Sequence, residues 1–362
     1  MSLSLACCAI YAQLGSSHHI LRPAYIGPAS GLKETIVVAA LEQSIPVGMS
    51  AIWCATTGLA WTKLKHEVFK APIEIANGGD VVADLNRREI SEQDVGPEAA
   101  FLYAGRGGPE ALRLIRAGLA SKFPGLDGGQ RGWAPDQASD WCAFAFLWAH
   151  VSFTQPFFER GLVFKGTDGR QTRVGGFGLR GRDTGRFPAL HDQVEVWRSA
   201  PDAGGAPAEY ALDPCRKSER YRLILASIAP GESLAKDLAR VSLLMRQTST
   251  HLNYDDRLAI PNQSWEITHD FPELSGRVLN PGFGDKTIAH ASRIRFYLDR
   301  CGADLKADHV GYAILGQHGP SFDYQFNRPF FLCVENRVTR QPLLAMWVAN
   351  LELLDWSHPM GT

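Results

Sequence analysis

Hydrophobic residues recur at helical spacing in three parts of the chain, and each stripe predicts a helix with one face in the core. The first helix is predicted over Met49–Val68. The second is predicted over Pro109–Phe123, because proline suits the first helical position and Gly125 lies just past the end. The third is predicted to open at Glu232 or Ser233. The stripes are Ile52, Ala55, Leu59 and Leu64; Leu112, Ile115 and Leu119; and Leu234, Leu238, Val241 and Met245.

Alternating or continuously apolar runs predict strands, mainly in the second half of the chain. In one of them Ile294, Phe296 and Leu298 fall on one face, with arginines and a tyrosine on the other. The last two runs flank the polar connection 336–341, which predicts a hairpin. The predicted strands are residues 194–197, 221–228, 293–298, 329–335 and 343–349.

The segment Trp141–Phe153 is apolar on both faces. Such a run fits either a central strand or a core helix, and we expect a helical first part that passes into a strand near Trp148–Phe153. Residues 124–140 before it are rich in glycine and proline, which indicates a domain boundary or a long surface loop. The polar stretch Asp84–Pro97 is predicted to be a loop.

The N-terminal residues 1–45 have weak periodicity and several turn-forming residues. We expect a short helix or arm there, followed by irregular structure. Residues 46–362 are expected to form a single domain. No positive charge precedes the apolar part of the N-terminus, so a secretory signal is not expected.

Composition excludes several classes of protein. Hydrophobic residues make up 45% and charged residues 21% of the 362 residues, as in ordinary globular proteins. With 37 basic and 38 acidic residues, the balance gives no reason to expect a nucleic-acid or membrane partner. Seven cysteines without a framework spacing favour reduced thiols in a cytoplasmic protein.

No catalytic, phosphate-binding or cofactor-binding motif occurs in the sequence. We therefore expect a protein that is not an enzyme and that needs no cofactor and no metal. Two combinations of residues offer only weak arguments against that expectation. Cys7–Cys8 with His18–His19 is a poor metal site because neighbouring side chains point apart, and Cys142 near His150 lies in apolar surroundings that disfavour a thiolate.

A glycine-rich stretch carries five arginines: Arg170, Arg173, Arg180, Arg182 and Arg186. A solvated hairpin is the expectation for it, since runs of charge are weak signals of function. The alternative is an anion site in an unrecognised enzyme.

Residues 258–350 resemble the C-terminal part of serpins in order and spacing. The resemblance rests on Leu258–Pro261, on Ile288–Asp299, on Phe326–Phe330 and on Leu343–Asn350. It implies an α+β, serpin-like fold with mixed β-sheets, a cluster of helices and an exposed reactive-type loop. Gly302 and Pro329 are 27 positions apart (329 − 302), which leaves room for such a loop.

The resemblance also implies a function. A serpin presents its reactive loop to a peptidase, so the expected partner is a peptidase or another protein. The implied bait covers residues 309–324, with its scissile bond near Gly316, Gln317 or His318. The implied hinge contains Gly302, Ala303, Leu305, Ala307 and His309.

Inhibition requires the hinge to enter a sheet with small alternate side chains facing the core. Leu305 is large, and burying His309 without a partner costs about 1–3 kcal/mol. Two alternatives therefore stay open: an inhibitor or bait, and a non-inhibitory interaction module of a larger assembly.

Overall fold

In the part of the chain that the structure describes, the strand-forming runs assemble into three β-sheets and one separate hairpin. The computed structural model describes residues 3–13, 23–124, 141–151, 153–180, 188–199, 209–253, 255–279, 288–300 and 322–355. Its strands are β1 Leu3–Gln13, β2 Tyr25–Pro28, β3 Thr35–Val38, β4 Ser50–Cys54, β5 Ala100–Arg106, β6 Trp141–His150, β7 Phe158–Glu159, β8 Leu162–Lys165, β9 Gln171–Val174, β10 Gly176–Leu179, β11 Glu195–Arg198, β12 Tyr210–Asp213, β13 Tyr221–Ser227, β14 Thr250–His251, β15 Arg257–Pro261, β16 Gln263–His269, β17 Ile288–Leu298, β18 Asp323–Gln325, β19 Phe330–Asn336 and β20 Pro342–Val348.

The helices lie mostly in the first half of the chain. They are α1 Ala55–Leu64, α2 Gly79–Arg87, α3 Glu92–Val95, α4 Pro109–Lys122, α5 Pro188–Asp192 and α6 Leu234–Leu244, with a 3₁₀ turn at Ala29–Gly31 and a π-helical turn at Lys65–Phe69. The predicted helices over Pro109–Phe123 and after Ser233 are confirmed. The Ser233 side chain caps α6 by accepting a hydrogen bond from the Lys236 N–H.

Three sheets make up the architecture. The six-stranded sheet has the order β2-β16-β17-β1-β6-β5, the eight-stranded sheet β14-β11-β12-β13-β19-β20-β4-β3, and the four-stranded sheet β18-β15-β10-β7. The hairpin β8–β9 stands apart. The C-terminal hairpin β19–β20 lies inside the eight-stranded sheet, and the prediction that 329–335 and 343–349 pair is confirmed.

Strand β6 is the element whose pattern is most ambiguous in the sequence. The expected helical first part is wrong, because Trp141–His150 is one continuous strand. Both of its faces are apolar since each packs on a different core. Ala143, Ala145 and Leu147 belong to the main core, whereas Phe144 and Phe146 pack with Ile115, Leu119 and Phe123 of the α4 region.

Three other local expectations are wrong. The helix predicted over Met49–Val68 begins only at Ala55, because Ser50–Cys54 is a strand held between β3 and β20. The Cys54 thiol caps that helix and accepts a hydrogen bond from the Thr56 N–H.

The polar stretch Asp84–Pro97 is not a loop throughout, since it contains the end of α2 and all of α3. The short helix considered for residues 1–45 is replaced by strands β1, β2 and β3.

The buried thiols of the described residues are structural. Cys54, Cys215 and Cys333 are free thiols, and all three are buried, as is Cys142. Burial raises the pKa of the Cys54 thiol to about 12 and raises the pKa of Cys333 well above its ordinary value. These two thiols therefore stay protonated and unreactive.

Candidate functional site

Strand β17 leads into the segment that the sequence assigns to a reactive-type loop. Its inward face is the predicted one: Ile294, Phe296 and Leu298 are all buried. Just past its end, the carbonyl of Arg300 accepts a hydrogen bond of 2.9 Å from the Phe157 N–H. The guanidinium of Arg300 lies 3.5 Å from the Glu159 carboxylate. These contacts fix the first anchor of the segment.

The second anchor is at Phe322, where the described chain resumes. Its N–H donates a hydrogen bond of 2.6 Å to Oδ1 of Asp256, and its carbonyl accepts one of 3.0 Å from the Arg257 N–H. Strand β18 then runs parallel to β15. The guanidinium of Arg198 stacks over the Phe322 ring at 3.9 Å, and Tyr324 is buried.

The carboxylate of Asp256 organises this second anchor. It is fully buried, and its Oδ2 accepts a hydrogen bond of 2.7 Å from the Asn253 N–H. Burial raises the pKa of Asp256, while the two backbone donors and the charge of Arg198 act against that rise. Sequence reasoning missed Asp256 and Arg198. The only signal was the acidic pair Asp255–Asp256 directly before a strand.

The predicted site residues lie between the two anchors. Gly302, Ala303, Leu305, Ala307 and His309 of the hinge, and Gly316, Gln317 and His318 at the implied scissile bond, are outside the described residues. Their roles stay predictions. The structure shows instead how the chain is held on either side of them.

A cavity of about 490 Å³ lies between α6 and the eight-stranded sheet. The register of β13 and β19 places Arg222 opposite Glu335, Ile224 opposite Cys333 and Ala226 opposite Phe331. The side chains that line the cavity are Arg88, Arg222, Ile224, Ala235, Leu238, Ala239, Val241, Ser242, Met245, Arg246, Phe331, Cys333, Glu335, Arg340 and Pro342.

The charges around this cavity are mostly paired. The buried Arg222 donates from Nε to Oε1 of Glu335 at 2.7 Å, and Arg340 lies 3.3 Å from the same oxygen. Burial raises the pKa of Glu335, against the effect of Arg222. Nη2 of Arg88 lies 2.7 Å from Oε1 of Glu42. Arg246 is exposed at the rim and has no acidic partner within the described part of the chain.

The arginine-rich stretch does not form a cluster in the described residues. Arg170 is paired with Asp168 and Glu34. Arg173 lies on β9 of the separate hairpin, and Arg180 follows β10 of the four-stranded sheet. Arg182 and Arg186 lie outside the described residues. Over the same described ranges, no group of three His, Cys, Asp or Glu side chains could hold a metal ion.

The overall fold is similar to that of known proteins. The structure of native protease nexin-1 with heparin superposes on this chain with a TM-score of 0.50 at 8% identity, covering 83% of this chain and 92% of that one. The chain has the serpin fold. The predicted α+β, serpin-like architecture is therefore confirmed.

Other solved serpins resemble the chain at comparable coverage. Native tengpin, a thermophilic serpin, has a TM-score of 0.49 at 12% identity, with 85% of this chain and 90% of that chain covered. Thyroxine-binding globulin with thyroxine has a TM-score of 0.47 at 12% identity, with 83% and 92% covered. No family model and no curated protein matches the sequence. In the described ranges, no helix is both long enough and apolar enough to cross a membrane.

Proposed function

We propose that the chain is a serpin-like protein that presents the segment between its two anchors to a peptidase, as an inhibitor or as a bait that is cut. The serpin fold and the position of the segment after β17 support this proposal. The presented part is shorter than the implied 309–324 and covers residues 309–321, because Phe322 is held in the second anchor and Tyr324 is buried.

The observation that carries the proposal is the fixing of both ends. The segment leaves from the six-stranded sheet and returns at an edge strand of the four-stranded sheet, so its ends belong to different sheets. A peptide held at both ends is a good peptidase substrate when its middle can extend. Its scissile bond is expected near Gly316, Gln317 or His318.

Inhibition and bait function differ in the fate of the cut loop. A cut loop that inserts adds a strand to a sheet and raises the melting temperature. The melting temperature of a bait or interaction module is unchanged by the cut. Leu305 and His309 favour the second behaviour, because a large and a polar side chain would both face the core on insertion. The partner is then a peptidase or another protein of an assembly.

Limited proteolysis with a panel of peptidases tests the proposal. The first cut, mapped by mass, is expected between residues 309 and 321. The double variant Gln317→Pro/His318→Pro should slow that cut strongly, because proline fixes φ and removes a backbone N–H. Val47→Pro, at a fully exposed position in another loop, should leave it unchanged. A first cut elsewhere in the wild type would overturn the proposal.

The cavity beside α6 supports a second candidate function, the binding of a small amphipathic anion. Its walls are apolar where Ile224, Leu238 and Phe331 meet, and Arg246 stands at the rim. Fluorescence of 8-anilinonaphthalene sulfonate is the test. Leu238→Trp, which fills the cavity, and Arg246→Ala should both weaken binding, while Arg113→Ala on α4 should not. Equal binding by all variants would remove this candidate.

A further inference from the structure

Strand β5 is the outermost strand on one side of the six-stranded sheet, next to β6. It pairs antiparallel with β6 along its whole length, from Ala100 with Leu147 to Arg106 with Trp141, and the register has no shift. On its other side, no strand within the described ranges pairs with it. The side of Ala100–Arg106 that faces away from β6 is here called the β5 edge.

Every second residue of β5 directs its backbone groups towards this edge. The Trp148 N–H donates a hydrogen bond of 2.8 Å to the Ala99 carbonyl, so these two residues form a hydrogen-bonded pair of the antiparallel ladder. Because such pairs alternate with pairs that share no hydrogen bond, the N–H and C=O groups of Leu102 and Ala104 point away from β6. These groups have no hydrogen-bond partner in the part of the chain that the structure describes.

The open part of the edge has two defined ends. At its N-terminal end Ala100 is buried, and at its C-terminal end the carbonyl of Arg106 accepts a hydrogen bond of 2.9 Å from the Tyr103 hydroxyl. Between these ends, Leu102 and Ala104 are partly exposed. Their two N–H donors and two carbonyl acceptors are therefore available to a strand that approaches from outside.

Both faces of β5 are covered, which holds the open backbone groups in strand geometry. Phe101 and Tyr103 pack with the α4 cluster, whereas Leu102 and Ala104 pack against the main core. A strand that joins this edge therefore meets a backbone that is already ordered. Such preorganisation lowers the entropy cost of association.

The other outer strands of the three described sheets are protected in ways that β5 is not. Strands β2 and β3 have four residues, β18 has three, and β7 and β14 have two, whereas β5 has seven. Short length, proline and charge are the usual features that prevent an edge strand from pairing with another chain. Strand β2 also contains Pro28, whereas β5 contains no proline and carries a charge only at its last residue, Arg106. The β5 edge is therefore a template for a further strand.

A second copy of the same chain supplies a matching strand. When two β5 strands pair antiparallel with Leu102 of each opposite Ala104 of the other, all the open groups of both copies are used and Tyr103 lies on the twofold axis. The two Arg106 side chains then lie at opposite ends of the pair, and each lies at the end where the partner chain carries its Glu98. Parallel pairing would instead place the two arginines side by side. The charges at the two ends of the strand therefore favour the antiparallel pair.

We propose that the β5 edge binds a second copy of this chain, which joins two six-stranded sheets into one continuous sheet across a twofold axis at Tyr103. Pairing of the same surface on both copies closes on itself, so it gives a dimer and not a fibre. The dimer is independent of the proposed function, because it involves neither anchor of the proposed bait segment.

Sedimentation equilibrium of the full-length chain tests the dimer. The wild type is expected to dimerise in the micromolar range. Ala104→Pro removes one of the edge donors at a position where an edge strand accepts proline, and it should weaken dimerisation at least about tenfold. Ala104→Ser keeps the N–H and should dimerise like the wild type. A wild type that stays monomeric throughout this range would overturn the proposal, and so would equal dimerisation by an Ala104→Pro protein that circular dichroism shows to be folded.

A disulfide test covers the case in which Ala104→Pro does not fold. In the proposed register Tyr103 faces its own copy with a Cα separation of about 4.5 Å, which is within the range of a disulfide. Oxidation of Tyr103→Cys should therefore link two chains through the introduced thiols, which mass mapping identifies. Arg106→Cys is the control, because it places a more exposed thiol in the same strand but about 20 Å from its copy. No link in Tyr103→Cys, or equally fast linking in Arg106→Cys, would overturn this pairing. Neither experiment uses a peptidase, so a failure of the proposed function would be seen separately.

Discussion

The backbone N–H of Phe322 donates a hydrogen bond of 2.6 Å to the buried carboxylate of Asp256. This contact, with the one from the Asn253 N–H, fixes the place where the proposed bait segment ends. Asp256→Ala removes the acceptor of both donors, at a cost of about 1–3 kcal/mol for each group left unpaired. We expect a lower free energy of unfolding and faster first cutting within residues 309–321.

The matched control is Asp323→Ala, which removes an exposed carboxylate from the neighbouring strand. It should change neither the urea midpoint nor the rate of cutting appreciably. If both variants were cut at the wild-type rate, Asp256 would not control the second anchor.

The buried pair Arg222–Glu335 gives a second prediction. Removing one partner leaves an uncompensated buried charge, so Arg222→Met and Glu335→Leu should each lower the free energy of unfolding by about 3–5 kcal/mol. The double variant should lose less than the sum of the two single variants. Urea unfolding of all four proteins measures this coupling. If the losses in free energy of unfolding of the two single variants simply add in the double variant, each residue stabilises the protein through its surroundings, such as Arg340, and not through the contact between Arg222 and Glu335.

His290 gives a pH dependence. Burial lowers the pKa of its imidazole from 6.5 to about 4, and the charge of His269 lowers it further. The Phe271 ring packs on the imidazole, and the Ser275 hydroxyl hydrogen-bonds to the backbone of His290. Because the unfolded state then binds the proton more readily, stability should be lost as pH falls from 6.5 towards 4. His290→Leu should flatten this part of the stability curve. The exposed His66→Gln should not, and an unchanged slope in His290→Leu would contradict the assignment.

Asp237 should have the opposite effect. Burial raises the pKa of its carboxyl to about 6, although Oδ1 accepts a hydrogen bond from the Gly231 N–H and Arg240 lies nearby. The folded state therefore binds the proton more readily, and stability should fall as pH rises from 3.8 to about 6. Asp237→Asn should be more stable than the wild type at neutral pH, by urea unfolding. Glu74→Gln, at an exposed position, is the control. Equal stability of Asp237→Asn and the wild type at neutral pH would refute this prediction.

Local pattern and the resemblance together predicted much of the second half of the fold. The face formed by Ile294, Phe296 and Leu298, the cap at Ser233 and the final hairpin all follow from short-range periodicity. The order of strands around residues 258–350 followed from the serpin resemblance. These features could be predicted from the sequence because the residues that indicate each of them lie close together in the chain.

The failures have physical causes. Strand β6 carries two apolar faces because α4 covers one and the main core the other, and periodicity cannot distinguish that arrangement from a buried helix. The strand Ser50–Cys54 was predicted as the start of a helix. All of its residues are buried, so they lack the alternation of apolar and polar residues that marks a strand with one exposed face. Strand β1 could not be foreseen, since both of its partner strands, β6 and β17, lie far away in the sequence. For the site, the sequence indicated the hinge and loop, whereas the acidic pair Asp255–Asp256 before a strand was too weak a signal to identify the carboxylate of Asp256 as an anchor.

The pairing of Leu3 with Ile288 has a consequence for how the protein is made. The two residues are 285 positions apart (288 − 3), so the first strand leaves the ribosome long before its partner exists. At roughly 5–20 residues per second, this delay amounts to roughly 15–60 s. During that time β6 is made and can pair with one edge of this uncharged strand, but the edge that pairs with β17 has no partner yet. The six-stranded sheet can therefore be completed only after β17 has been made, and the eight-stranded sheet is completed later still, because β19 and β20 follow β17 in the chain.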